Sequence, residues 1–255
     1  MAAAERMIRL FTTLYNESCS ARRMEYETCL HNNVVCSALT EIIVFSENAN
    51  FDLQHENIKV VPVNSRPSYS QFFEYVNEIV RPGEVSIIAN GDIYFDERVR
   101  ALEYISMDNT CLALSRWNIA SDGSPRLFNR LDSQDCWIFR GRIKPVTADF
   151  CLGVPRCDNR IAYELEQAGY HVLNPSFSIR SYHLHSGERG EYNADNLPHF
   201  VPPPYKYVWP HNLYGMSHTV VHNLRHRHSR LGYRVDWRRL RQLLPHRVWR
   251  QLGRA

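Results

Sequence analysis

The chain reads as an α/β fold: a mixed, mostly parallel sheet flanked by helices, followed by a basic helical tail. Three observations predict it. In the first half, short β-branched and aromatic runs alternate with stretches of helical periodicity. That order implies parallel strands, because a parallel pair needs a crossover connection, usually a helix. The chain has 255 residues, 44% of them hydrophobic, which suits one large core plus appendages. Charge is also divided unevenly. Residues 216–255 carry ten Arg against the single Asp236, leaving 20 basic against 26 acidic residues elsewhere. One globular body with one basic tail follows, with expected bounds 1–210 and 211–255.

The elements follow in order. Residues 7–14 form a β-rich run, Ile8-Arg9-Leu10-Phe11-Thr12-Thr13-Leu14, ending at Tyr15-Asn16-Glu17. Ser20 is placed to cap a helix reaching about residue 39, with Met24, Cys29, Val35 and Cys36 among its apolar positions. Residues 41–45 are a second strand, closed by Ser46-Glu47-Asn48, and residues 58–63 a third. Residues 68–80 predict a helix with Phe72, Phe73, Val76, Ile79 and Val80 inward. Pro82-Gly83 is a turn, and residues 85–89 are a fourth, buried strand. After it come Ile93-Tyr94-Phe95-Asp96 and a helical stretch, residues 97–107.

The second half is less regular. Residues 111–118 read as a strand, 121–125 as a loop and 136–139 as a strand. Asp158 is placed to cap a helix over 159–168, which Gly169 stops. Residues 171–173 and 178–185 are extended, and 198–210, rich in Pro and aromatics, read as an extended cover or linker.

Seven Cys is an odd number, with no CxxC pair, so a reduced, cytoplasmic compartment is expected. The first residues hold no long apolar leader, and no segment approaches the length of a membrane span. In the tail, Trp237, Leu240, Leu244, Val248, Trp249 and Leu252 interleave with Arg, a composition that suits an anionic membrane surface. The expectation is peripheral contact with the inner face of the cell membrane through residues 216–255. A helix docked on the body or on a partner is the alternative. No nucleic-acid motif accompanies the Arg run, so no nucleic acid partner is expected.

The most informative motif is Asn90-Gly91-Asp92. It ends the apolar run Val85-Ser86-Ile87-Ile88-Ala89, where open α/β sheets place their ligands. A carboxylate there suits Mn²⁺ or Mg²⁺, which would hold a diphosphate. An Asn-Gly turn between two strands is the simpler reading of the tripeptide alone. Asp158 fits both a helix cap and a general base. His183 and His185 lie two apart on a strand and so share a face. One of them can complete a metal shell begun by Asp92, or both are half-buried strand residues. Arg66, just past a strand end, offers a planar fork to phosphate oxygens, as do Arg180 and Arg189. Thr13, Tyr15, Asn16 and Glu47 end the first two strands, where a nucleotide base and ribose would sit, or they are ordinary turn chemistry. Asp135 and Trp137 alternate on one strand. They suit a sugar platform with a carboxylate, or core packing with a capping Asp. The chain has no GxGxxG, Walker or GxSxG motif, which argues against dinucleotide enzymes, P-loop kinases and α/β-hydrolases.

Taken together, seven ordered blocks resemble a GT-A type (Rossmann-like) family of nucleotide-sugar glycosyltransferases. That family includes the rhamnosyltransferase domain of large algal viruses and similar bacterial polysaccharide enzymes. The blocks are Arg66-Pro67-Ser68-Tyr69-Ser70-Gln71-Phe72-Phe73, Ala89-Asn90-Gly91-Asp92-Ile93-Tyr94-Phe95-Asp96, Ser133-Gln134-Asp135-Cys136-Trp137-Ile138-Phe139, Asp149-Phe150-Cys151-Leu152-Gly153, Cys157-Asp158-Asn159-Arg160-Ile161-Ala162, Asn174-Pro175-Ser176 and His183-Leu184-His185. They cover residues 7–210. The resemblance implies a UDP-, GDP- or dTDP-linked sugar donor and a divalent metal at Asn90-Gly91-Asp92. It also implies an inverting single displacement onto a glycan or lipid-linked acceptor, in surface polysaccharide synthesis. On this reading Asp158 is the base, with Asp135 its rival, and Trp137 and Arg189 touch the acceptor. Asn90 stands where the commoner motif has Asp, so Asp92 would act largely alone. Two other classes are consistent with parts of the pattern: a metal-dependent nucleotidyltransferase or hydrolase, and a non-catalytic module anchored by its Arg-rich tail.

Overall fold

Strand β1 (Ile8–Tyr15) is an interior strand of the main sheet, and its alternation explains the two cores that flank it. Leu10 and Leu14 point to one side and Phe11 to the other, as the two-residue period of a strand requires. The structure, a computed structural model, describes residues 7–48, 51–184 and 200–213. These belong to one unit, Met1–Thr219. The predicted His185 and Arg189, and residues 214–255 of the basic tail, lie outside the described residues.

The remaining elements are α1 (Ser20–Val35), β2 (Glu41–Glu47), β3 (Ile58–Pro62), α2 (Tyr69–Ile79), β4 (Val85–Ala89), β5 (Ile93–Phe95), β6 (Thr110–Leu114), β7 (Arg116–Ile119), β8 (Pro125–Leu127), β9 (Cys136–Arg140), α3 (Cys157–Gln167), β10 (His171–Leu173) and β11 (Ser181–Leu184). Seven strands form the main sheet in the order β10-β6-β9-β4-β1-β2-β3. Its β1–β2, β1–β4, β2–β3 and β6–β10 pairings are parallel, and β9 runs antiparallel between β4 and β6. The expected fold class, a mixed and mostly parallel sheet flanked by helices, is the one observed. A second sheet, β5-β11-β7-β8, lies at the carboxyl end of β4.

One face of the main sheet packs Phe11, Ile43, Phe45 and Ile88 with Phe72, Phe73 and Val76 of α2 and Ile161 and Leu165 of α3. The other packs Leu10, Ile42, Val44 and Ile87 with Tyr26 and Leu30 of α1. Helix α2 starts where the sequence predicts, closed by a capping box between Ser68 and Gln71.

Several boundaries differ from expectation for identifiable reasons. Helix α1 stops at Val35, short of residue 39, and its first residue is Ser20, with Cys19 rather than Ser20 at the N-cap. Near its end Asn33 is committed elsewhere: its amide donates to the Ile93 carbonyl and accepts from the Phe95 N–H, fastening β5. The stretch expected as a helix over 97–107 is a shorter 3₁₀ turn, Glu97–Glu103, capped by Asp96. The strand expected over 111–118 is two strands, broken at Ser115. There the Ser115 N–H leaves the ladder for Asn174 Oδ1 (3.2 Å) and Ser176 Oγ (2.8 Å), and the chain passes from the main sheet to the second one. Asn174 in turn donates from its backbone to His211 Nε2 and from its side chain to the Val208 carbonyl. This buried network anchors residues 200–213, which run without helix over the α3 side of the molecule. Packing continues past Pro210, since His211 is buried.

Candidate active site at the strand ends

The carboxyl ends of β1 and β4, the start of α1 and the start of α3 meet around one cleft. Its lining includes Thr13, Tyr15, Arg22, Tyr26, Arg66, Asn90, Gly91, Asp92, Arg116, Gln134, Asp135, Gly153, Cys157 and Asp158. Of the residues expected to bind a nucleotide sugar, Thr13, Tyr15, Arg66, Asn90, Gly91 and Asp92 are brought together there. Asn16 and Glu47 do not line the cleft, and Tyr15 uses its hydroxyl on Glu17 (2.9 Å) and Tyr26 (2.9 Å). Arg66 reaches the rim with its guanidinium over the Tyr15 ring, 5.8 Å from the centroid.

Gly91 explains itself sterically. A Cβ there would stand 2.5 Å from the Thr13 carbonyl oxygen, so β1 and the motif loop can approach this closely only through glycine. The loop is further fixed by Asn90. Its N–H bonds the Asp135 carbonyl (3.2 Å), and its side-chain amide donates to Asp135 Oδ1 (3.2 Å). An amide is the right group beside a carboxylate. An Asp at position 90 would place two like charges in contact. Asp135 also receives Arg116 Nη1 on both oxygens at 3.1 Å.

Asp92 is almost fully buried. Its Oδ2 meets Nη1 and Nη2 of Arg22 and Nε2 of His183, each at 3.3 Å. The predicted pairing of Asp92 with His183 is thus a contact in the fold, made because β11 runs antiparallel to β5, immediately after the motif. A carboxylate oxygen and an imidazole nitrogen form a donor pair that fits Mn²⁺ better than Mg²⁺, which prefers oxygen alone. Among the described residues no set of three or more His, Cys, Asp or Glu converges to hold a metal. A cation on Asp92 and His183 would therefore take its remaining ligands from substrate and water. Arg22 carries its charge firmly: burial opposes it, but Asp92, Tyr26 and Glu25 outweigh that and raise its pKa.

At the opposite end stands Asp158. It is not the N-cap of α3. That position is Arg156, in the left-handed region at φ 70°, and Asp158 lies inside the first turn. Its oxygens accept from the Asn159 N–H (2.9 Å) and the Gln134 N–H (3.3 Å). Burial pushes its pKa up to about 7, with the Asp135 charge the second cause, and the two backbone donors only partly offset them. The neighbouring Cys157 thiol is also pushed up, to about 12, first by burial and then by Asp158. Tyr69 is buried behind Cys157, its hydroxyl 3.6 Å from Sγ.

Trp137, expected as a sugar platform, is a correction. It is fully buried and packs edge-on against Tyr69 at 5.0 Å between centroids. On β9 it faces the α2–α3 core, and of the pair Asp135 and Trp137 it is Asp135, before the strand begins, that reaches the cleft. Arg180 turns away to lie over Trp117, 4.0 Å from its centroid. Sequence reasoning missed Arg22, Tyr26 and Arg116. The first two carried a signal: Arg22, Glu25 and Tyr26 have helical i, i+3, i+4 spacing in the first turns after a strand end. Arg116 had none, because its position depends on the break at Ser115.

No protein-family model and no curated protein matches the chain. Among solved structures it is similar to the mannosyltransferase PcManGT from Pyrobaculum calidifontis in complex with GDP-Man and Mn²⁺, at 13% identity and TM-score 0.45, over 72% of this chain and 58% of that one. It is similar to S. aureus TarS 1–349 in complex with UDP-GlcNAc, at 11% identity and TM-score 0.45, over 74% and 61%. It is also similar to GalNAc-T7 with UDP, GalNAc and Mn²⁺, at 13% identity and TM-score 0.41, over 74% and 46%. The chain thus spans about half to three fifths of the length of these proteins. At these identities the likeness is one of fold.

Proposed function

We propose that this chain is a metal-dependent, inverting GT-A type glycosyltransferase that moves a sugar from a nucleoside-diphosphate donor to a glycan or lipid-linked acceptor. One observation carries the reading: Asn90-Gly91-Asp92, backed by His183, and a carboxyl group with a pKa near 7, Asp158, face the same cleft. A general base works best with a pKa near the working pH. Asp158 meets that condition, while Asp135 is tied to Arg116 and Asn90. Asp158 is therefore our choice for the group that removes the acceptor hydroxyl proton, and Asp135 orients the loop and the donor sugar.

Asp92 and His183 would hold Mn²⁺, with Mg²⁺ the weaker fit. Bound there, the cation would neutralise charge developing on the departing diphosphate. Arg66 and Tyr15 suit the nucleotide end, a planar cation and a ring at the rim. The tail, with its Arg, Trp and Leu, suits an enzyme whose acceptor hangs from a membrane lipid at the inner face of the cell membrane, in surface polysaccharide synthesis.

The test is a thermal-shift panel of UDP, GDP, CDP and dTDP, each with and without Mn²⁺, followed by transfer assays with the matching sugar nucleotides. Binding to the native state raises the melting temperature by mass action. Stabilisation by one nucleotide only with Mn²⁺, lost in Asp92→Ala along with transfer, is the expected result. Wild-type turnover in Asp92→Ala would sink the assignment.

A further inference from the structure

The Asp92 end of the cleft already holds a cation. Arg22, in the first turn of α1, places Nη1 and Nη2 on Asp92 Oδ2, the oxygen that His183 Nε2 also meets. Any divalent ion using Asp92 and His183 must draw on this crowded oxygen or lie close to the guanidinium, charge against charge.

The distances show how the arginine is held. Its contacts to Asp92 are 3.3 Å, longer than the roughly 2.7–2.9 Å of a strong charge-assisted bond. Its contacts to Glu25 (2.6 Å) and the Tyr26 hydroxyl (2.7 Å) are short, and its plane lies 4.8 Å from the Tyr26 ring centroid. Arg22 is thus anchored on its own helix and leans on Asp92. When Asp92 engages a metal, the guanidinium stays within reach.

We propose that Arg22 is an internal counter-cation that competes with the divalent metal for Asp92. This rests on the metal-dependent reading of the cleft. Two consequences follow from linkage. Without a diphosphate, the metal is bound only against the Arg22–Asp92 pair. A diphosphate, whose oxygens match the guanidinium fork, relieves that opposition, so the two ligands favour one another.

The experiment is an electron paramagnetic resonance titration of the full chain with Mn²⁺ alone. Arg22→Gln should bind Mn²⁺ about tenfold more tightly than wild type. Arg22→Lys, which keeps the charge, should stay near wild type. Glu25→Gln leaves the arginine and removes the charge that anchors it, so Mn²⁺ binding should weaken. It also serves as the second test if Arg22→Gln fails to give a cooperative melt. Unchanged or weaker binding in Arg22→Gln, Arg22→Lys as tight as Arg22→Gln, or tighter binding in Glu25→Gln would overturn the proposal. Sugar transfer plays no part in the titration. The predicted affinities without transfer would keep Arg22 in place and remove the glycosyltransferase reading, and transfer with unaltered affinities would do the reverse.

Discussion

The two ends of the cleft treat a buried carboxylate in opposite ways. At one end Asp92 meets a guanidinium and an imidazole on a single oxygen. At the other, Asp158 has two backbone N–H groups and a second carboxylate nearby, and its pKa rises to about 7. Both lie within protein, so burial alone does not separate them. The difference is compensation: one end sets a guanidinium against its carboxylate, and the other leaves its carboxyl group free to exchange a proton near neutral pH. Between them Asp135 belongs to both, bonded to Asn90 of the motif loop and placed to repel the charge on Asp158.

The largest break in this comparison is Asp158→Asn. On the proposed role of Asp158, loss of a general base costs roughly 10²–10⁴ in rate, so turnover should fall by about 10³ while the proposed nucleotide binding at the other end persists. The same variant should be more stable than wild type at pH 8. The sign follows from the raised folded-state pKa. The protonated carboxyl stabilises the fold fully below about pH 4, and that contribution is lost as pH rises through about 7. At pH 8 wild type carries the cost of a desolvated charge, of the order of 2–4 kcal/mol. Asn removes that charge but keeps one acceptor for the Asn159 and Gln134 N–H groups, which offsets about 1 kcal/mol of the gain. Melting temperatures at pH 5 and pH 8 measure it. A variant no more stable at pH 8 than wild type would place Asp158 in a far wetter site than the structure does.

Gly91→Ala acts on the opposite end. Its new methyl group would stand 2.5 Å from a backbone oxygen of β1, which has no side chain to move aside. The expected loss is about 1–3 kcal/mol, read by denaturant unfolding. Nucleotide affinity should fall with it, because the loop that carries Asp92 must shift.

Arg116→Met sharpens the comparison rather than breaking it. It removes the cation from Asp135 while leaving Asp158 untouched. With less compensation on Asp135, the proton on Asp158 should be held to higher pH. The acidic limb of the pH–rate profile, near 7 in wild type, should move up by about 0.5–1 unit. A limb that stays in place would mean that Asp135 does not set the pKa of Asp158.

How much of this was legible in the sequence divides along the same line. Strand ends β1 and β4 were readable because short, mostly apolar runs stop abruptly at polar residues, and Asp92 comes three residues after the second of them. Helix α2 was readable for a different reason, the helical spacing of Phe72, Phe73, Val76, Ile79 and Val80. Asp158 was found, read both as a helix cap and as a general base, and the structure removes only the cap. Its position inside the first turn depends on a left-handed Arg156, which no local pattern announces. Trp137 was misplaced because alternation says which residues share a face, and not which face looks into the cleft. Arg116 was invisible because the chain leaves one sheet for the other at Ser115, a break made by Asn174 and Ser176, about sixty residues further along the chain. Contacts of that separation are set by tertiary packing, which outranks local propensity.

The smallest expected effect is the most discriminating. Tyr69 lies fully buried beneath the Asp158 end, and its hydroxyl touches Cys157 Sγ at 3.6 Å, with no bond to the carboxyl group itself. Tyr69→Phe keeps the ring that packs against Trp137 and Phe150 and deletes only that weak contact. Stability should change by less than about 1 kcal/mol. If burial and Asp135 set the pKa of Asp158, the pH–rate profile of Tyr69→Phe should overlay that of wild type. A displaced acidic limb would instead mean that a hydroxyl one residue removed from the carboxyl group governs its proton, and the contrast between the two ends would then rest on the tyrosine, not on the missing cation.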